Sequence, residues 1–152
     1  MRIRTAYFLD LDNLAGSGRP TEGEIQWVFE AFEAEFQPGR CDQVFCAGTP
    51  VSAFWAKLCR PGYLTRSAVG RDGADRVLIS MVSPLFVADR FDRVVIGSGD
   101  GAFGGLVSDL RALGLSVELM TGKGRLHHHL YQALAPERKG MSTPLVELSW
   151  VA

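Results

Sequence analysis

The chain has 152 residues, of which 47% are apolar, enough to bury a sizeable core and too apolar for a disordered chain. With 16 Lys and Arg against 17 Asp and Glu the net charge is −1, so the whole-domain basicity usual in nucleic-acid binders is absent. No apolar run approaches the ~20 residues of a membrane helix, and the Met1-Arg2-Ile3-Arg4 start lacks the pattern of a signal peptide.

Three cysteines (Cys41, Cys46, Cys59) without a Cys-x-x-Cys pair fit a reducing, cytoplasmic setting better than a disulfide framework or a zinc site. The basic residues divide into 13 Arg and 3 Lys. Arg is the better fork for phosphate oxygens, although Arg-favouring codon usage explains the same ratio. No repeat or linker divides the sequence, and residues 1–152 read as a single domain.

Ala6-Tyr7-Phe8-Leu9 is an apolar run stopping at Asp10, as a buried parallel strand does. After the Gly16-Ser17-Gly18 loop, Thr21 and Glu24 form a capping box. Ile25, Val28, Phe29, Phe32 and Phe36 then share one helix face. Gln43–Ala47 reads as a second strand, and Thr49-Pro50 opens a helix through Leu58. Tyr63 to Val69 is a weaker third strand.

Asp72 is placed to cap a helix from Gly73 to about Val87, which Pro84 should end or kink. Val77, Leu78, Ile79, Met81, Val82 and Leu85 make that helix apolar nearly all round, so both its faces should be covered. Arg93–Ile96 is the fourth strand. A helix from Ala102 to Leu113 turns Phe103, Leu106, Val107 and Leu110 inward and closes at Gly114. Ser116 to Met120 is a fifth strand, Leu126, Leu130 and Leu134 mark a final helix, and Pro144 to Val151 offers an edge strand.

This alternation predicts an α/β fold, a three-layer α/β/α sandwich around a mainly parallel sheet. Ligands of such sheets sit beyond the carboxyl ends of the strands, at the switch point of the strand order. Three acids stand there: Asp10 after the first strand, Asp100 after the fourth through Gly97-Ser98-Gly99, and Asp75 in the first turn of its helix, beside the Leu78/Ile79/Val82 stripe. Each has a plainer explanation. Asp10 and Asp12 suit an Asx-type turn, Asp75 complements the helix dipole or boxes with Asp72, and Asp100 suits an N-cap. Taken together, three carboxylates at one rim repel one another unless a cation neutralises them. Hard oxygen donors suit Mg²⁺ or Mn²⁺.

Phe8-Leu9-Asp10-Leu11-Asp12-Asn13-Leu14, then Gly73-Ala74-Asp75, then Val94-Val95-Ile96-Gly97-Ser98-Gly99-Asp100-Gly101-Ala102-Phe103, resemble the NYN domains of the PIN-like nuclease superfamily over about residues 3 to 135. The resemblance implies a PIN-like, Rossmann-like sandwich and metal-dependent endoribonuclease activity. Asp10, Asp75 and Asp100 match the metal-binding, catalytic acids. Asn13 and Ser98 match residues that shape the pocket, and Asp12 stands beside them.

Two positions depart from the family's pattern. Ala102 replaces an acid, and Met81 or Val82 stands where relatives carry another, which leaves one metal, or a weakened enzyme, open. The mechanism expected is phosphodiester hydrolysis by metal-bound water, with Arg71, Lys123 or Arg125 on substrate phosphate. Single-stranded RNA fits better than a duplex, because no long basic stripe is present.

Two other readings stay open. One is a non-catalytic RNA- or protein-binding module that kept the fold and lost acids. The other is a haloacid-dehalogenase-like phosphatase, since Asp10-Leu11-Asp12 resembles its Asp-x-Asp motif, although Leu14 stands at the Thr position and Gly104 where a later acid is expected. His127-His128-His129 cannot share one ion on a helix, where neighbours point about 100° apart. Trp27, Trp55 and Trp150 read as core or interface packing. Trp27, off the Ile25/Phe29 face, also hints at self-association, so a homodimer and a protein partner stay open. Asp109 and Arg111 read as a solvated helix face.

Overall fold

In the computed structural model the described residues are 3–70, 73–81, 83–124 and 145–148. The apolar run of the first strand becomes β1 (Thr5–Asp10), buried along its whole length. The chain leaves it directly into a short helix, α1 (Leu11–Ala15), which ends at Gly16 with φ +74°. The capping box opens α2 (Glu22–Phe36) as the sequence requires: Thr21 Oγ1 accepts from the Glu24 N–H, and the Glu24 carboxylate accepts from the Thr21 N–H.

β2 (Gln43–Gly48) follows. Thr49 then caps α3 (Pro50–Cys59), with Pro50 in its first turn. This helix turns small residues inward, Ser52, Ala53 and Ala56, and so lies close on the sheet. β3 (Leu64–Ser67) is short and sits at the edge.

The helix expected from Gly73 to Val87 is in fact two, α4 (Gly73–Met81) and α5 (Pro84–Arg90). Pro84 cannot donate within a helix and forces Ser83 into an extended conformation (φ −73°, ψ 149°). The Ser83 side chain caps the new start by accepting from the Phe86 N–H. The break also overturns the expectation of a fully covered helix. Leu78 and Val87 are buried, whereas Leu85 and Phe86 are exposed.

β4 (Arg93–Gly97) leads through a 3-10 turn at Gly101–Phe103 into α6 (Gly104–Ala112), so the helix expected from Ala102 is wound tightly at its start. Phe103, Leu106, Val107 and Leu110 are buried as expected, and Gly114 has φ +85°. β5 (Ser116–Thr121) and β6 (Leu145–Glu147) complete the sheet. The predicted Leu126/Leu130/Leu134 helix, Asp72, Val82, the histidine run and Trp150 lie outside the described residues.

All described pairings are parallel, and the six strands run in the order β3-β2-β1-β4-β5-β6. One face carries Phe8, Phe45, Ile96 and Leu119 under α4, α5 and α6. The other carries Tyr7, Leu9, Val44 and Val95 under α2 and α3. Consecutive strands run outward from β1 to β3, then cross back to the far side of β1 as β4. The switch point is therefore the gap between β1 and β4, where such sheets bind ligands.

Candidate active site

At that gap Asp10 closes β1. Its residue is only 3% exposed, so its carboxylate needs donors. The Ser98 hydroxyl donates to Asp10 Oδ2 at 2.9 Å, and the Asn13 N–H makes a long 3.5 Å bond to Oδ1. Ser98 Oγ in turn accepts from the Asp100 N–H at 3.1 Å. Asp100 caps the 3-10 turn, with Oδ1 accepting from the Ala102 N–H at 2.9 Å. This is the capping role its residue type allows. Across the gap, Asn13 Oδ1 accepts from the Gly99 N–H at 2.8 Å. Asn13 and Ser98 thus bolt the turn after β4 to the end of β1.

A third strand end closes one side. Lys123 N–H donates to the Leu14 carbonyl at 3.0 Å, and a Cβ on Gly124 would stand 2.2 Å from the Asn13 carbonyl oxygen. Glycine is needed for that approach. The resulting cavity of about 380 Å³ is lined by Asp10, Asp12, Asn13 and Asp100, by the Gly16–Gly18 loop and Thr49, and by Gly73 and Ala74. The start of α4 therefore reaches the same cavity as Asp10 and Asp100. The side chain of Asp75, two residues further on, lies outside the described part, as do Arg71 and Arg125.

The strand has ended at Asp10, and Asp12 lies in α1. Its Oδ2 accepts from the Thr49 N–H at 3.0 Å, and its Oδ1 from the Ser52 hydroxyl. Thr49 Oγ1 also reaches the Gly18 carbonyl at 2.9 Å, holding the loop over the cavity. Thr49, which lines the cavity, and the buried Ser52 that bonds to it and to Asp12 are residues that sequence reasoning passed over. The signal was present in Thr49-Pro50-x-Ser52, a helix start directly after a strand.

Lys123 places its ammonium 5.4 Å from the Trp27 ring centroid and 4.0 Å from Glu24 Oε2, on the α2 side of the rim. Trp27 is half-buried there. Ala102 is exposed, and Met81 lines a separate groove with Phe45 and Phe86. An acid at position 81 would not join this cavity.

The donor set fits a hard divalent cation. Asp10 and Asp100 offer carboxylate oxygens, and the open cavity leaves room for the waters that Mg²⁺ retains. Among the described residues no group of three His, Cys, Asp or Glu side chains is arranged to hold a metal. No described helix is long and apolar enough to cross a membrane. No protein-family model and no curated protein matches the chain. Among solved structures it is similar to a protein of unknown function from Vibrio parahaemolyticus. The two share 16% identity and a TM-score of 0.65 over 97% of this chain and 94% of the other, a likeness of fold.

Proposed function

We propose that this cavity hydrolyses phosphodiester bonds of single-stranded RNA with the help of Mg²⁺ or Mn²⁺, as an endoribonuclease of the cytoplasm. One observation carries the reading: Asp10 ends β1 and Asp100 follows the neighbouring β4 at the switch point, both line one cavity, and the Ser98 hydroxyl donates to the Asp10 carboxylate while accepting from the Asp100 N–H. Anions gathered in this way repel one another until a cation joins them. Asp10 and Asp100 would hold it, with Asp75 contributing from the start of α4. Such a cation lowers the pKa of water and offsets charge on phosphate oxygens.

The rest of the work falls to the chain itself. Ser98 keeps Asp10 in place, Asn13 fixes the Gly99 turn, and Asp12 secures the α3 wall. Arg71, Lys123 and Arg125 would position the RNA backbone rather than read its sequence. Lys123 would do so from beside Trp27 and Glu24.

The test compares RNA cleavage by wild type and Asp100→Asn with Mg²⁺, with Mn²⁺ and with EDTA. Cleavage should require the cation and fall at least about a hundredfold in the variant, roughly 2.7 kcal/mol of barrier. Cleavage that survives both EDTA and the substitution overturns the reading. Saturable Mn²⁺ binding without turnover would identify a non-catalytic RNA-binding module. The phosphatase reading has weaker support, because the Asp12 carboxylate that would deliver the proton is occupied by Thr49 and Ser52.

A further inference from the structure

On the α4/α5 face a groove opens where α4 ends at Met81 and α5 starts at Pro84. Its floor is Phe45 of β2, stacked on Phe8 with ring centroids 5.1 Å apart. The register puts Leu64 of β3 beside Phe45 on the same face. With Met81, Phe86 and Phe91 they line a volume of about 620 Å³, within the size range of small-molecule sites. Leu64 is 45% and Phe86 42% exposed, so large apolar side chains stand open to water where a ligand can cover them.

Charge in this groove is confined to one point. Among the described residues of the lining, Arg90 is the single charged side chain, and none is an acid. Its guanidinium lies 4.4 Å from the Phe86 ring centroid, one turn along α5. Among the described residues no carboxylate pairs with it. Tyr63, also in the lining, gives its hydroxyl proton to Glu33 at 2.5 Å.

We propose that this groove binds a small organic carboxylate with a flat aromatic body. The carboxylate takes hydrogen bonds from Arg90, and the rings lie over Phe45 between Leu64, Met81 and Phe86. A guanidinium can donate two parallel bonds to a carboxylate while stacked on an aromatic face. The rings of Phe45, Tyr63, Phe86 and Phe91 in the lining favour an aromatic body, through offset and edge-to-face contacts. An organic cation would meet Arg90 with no acid to receive it. A nucleotide would bring ribose hydroxyls that apolar walls leave without partners. The groove lies toward the amino ends of β2 and β3, away from the Asp10 cavity, so the proposal stands apart from the nuclease reading.

The test titrates the full chain, with EDTA present so that no cation at Asp10 holds the probe, against three compounds of one shape: naphthylacetate, naphthylethanol and naphthylethylammonium. The carboxylate should bind saturably with Kd below about 1 mM and shift the amide resonances of Leu64 and of Phe86–Phe91. The alcohol and the ammonium should bind at least about tenfold more weakly. Arg90→Gln should lower the affinity for the carboxylate to that of the alcohol and leave the alcohol unchanged. Leu64→Asp, an exposed substitution on the opposite wall, should weaken the carboxylate at least as much. No saturable binding of the carboxylate, equal affinity for either counterpart, indifference to Arg90→Gln, or shifts confined to the Asp10 cavity each overturn the proposal. So does a dimer in sedimentation that Phe86→Asp disperses, because a second copy would then fill the groove.

Discussion

At position 98 a buried hydroxyl serves two acids, giving its proton to Asp10 and taking the N–H of Asp100. Ser98→Ala leaves a carboxylate short of a donor and a backbone N–H unpaired, which should cost about 1–3 kcal/mol in urea denaturation. Ser108→Ala, on the exposed side of α6, should stay within about 0.5 kcal/mol; equal effects would refute the pairing. At the opposite end of the sheet Glu33 accepts from Arg60 (2.7 Å) and from the Tyr63 hydroxyl (2.5 Å). The Arg60 hydrogen bonds are the main reason that the Glu33 carboxyl titrates below its ordinary 4.5. A carboxyl lowered by folding adds stability above its unfolded pKa and loses it as pH falls through the folded one. Stability should therefore drop below pH 4.5, and Glu33→Gln should flatten that drop while costing about 1 kcal/mol at neutral pH, since both partners keep about a quarter of their surface in water. An unchanged acid limb in the variant would show that other carboxylates set it. Asp10 could be read from the sequence because it stops an apolar run, and Asp100 because it follows one through Gly97-Ser98-Gly99. The tie from Asp12 to Thr49 could not, because it joins residues 37 apart that only the sheet brings together.

Elements with a strong local signal were legible: α2 carries both its capping box and its apolar face in one stretch of chain. The five residues of α1 were not, since so short a helix carries no periodicity and exists because Asp10 caps it and Gly16 ends it. The α4/α5 break was half legible, with Pro84 visible and the Ser83 cap overlooked. The segment after β5 depends on tertiary contact alone. It lies so close to α1 that a methyl on Gly124 would meet a backbone oxygen at 2.2 Å and the Asn13 side chain at 2.9 Å. Backbone cannot rotate away, so Gly124→Ala should push Asn13 off Gly99 and destabilise by about 1–3 kcal/mol. A methyl on Gly18 meets nothing within 4 Å, and Gly18→Ala should be nearly neutral. Comparable urea midpoints for the two variants would contradict the packing of residues 122–124 on α1.

For the whole molecule, alternation of strands and helices was enough to predict a parallel sheet, but not the strand order, since that order is set by which faces the crossover helices cover. The helices of β1-to-β3 connections lie on one face and those of β3-to-β5 on the other, which places the reversal between β1 and β4 and the acids beside it. The same arrangement divides the interior into two cores joined only through the sheet, one containing Phe29 and the other Phe103, both fully buried. Each Phe→Ala change removes a ring and leaves a cavity, at a cost of about 3–5 kcal/mol. Sites on opposite faces with no shared partner should add, so the double variant forfeits about 6–10 kcal/mol, most of the 5–15 kcal/mol a chain of this size has. Because β1, β2, β4 and β5 each contribute side chains to both cores, neither layer can lose its packing while the sheet persists. Each single variant should then unfold in one transition with a lower midpoint and an unchanged urea slope, by fluorescence and circular dichroism alike. Two separated transitions in either variant would mean that the layers unfold independently and that residues 1–152 do not behave as one cooperative unit.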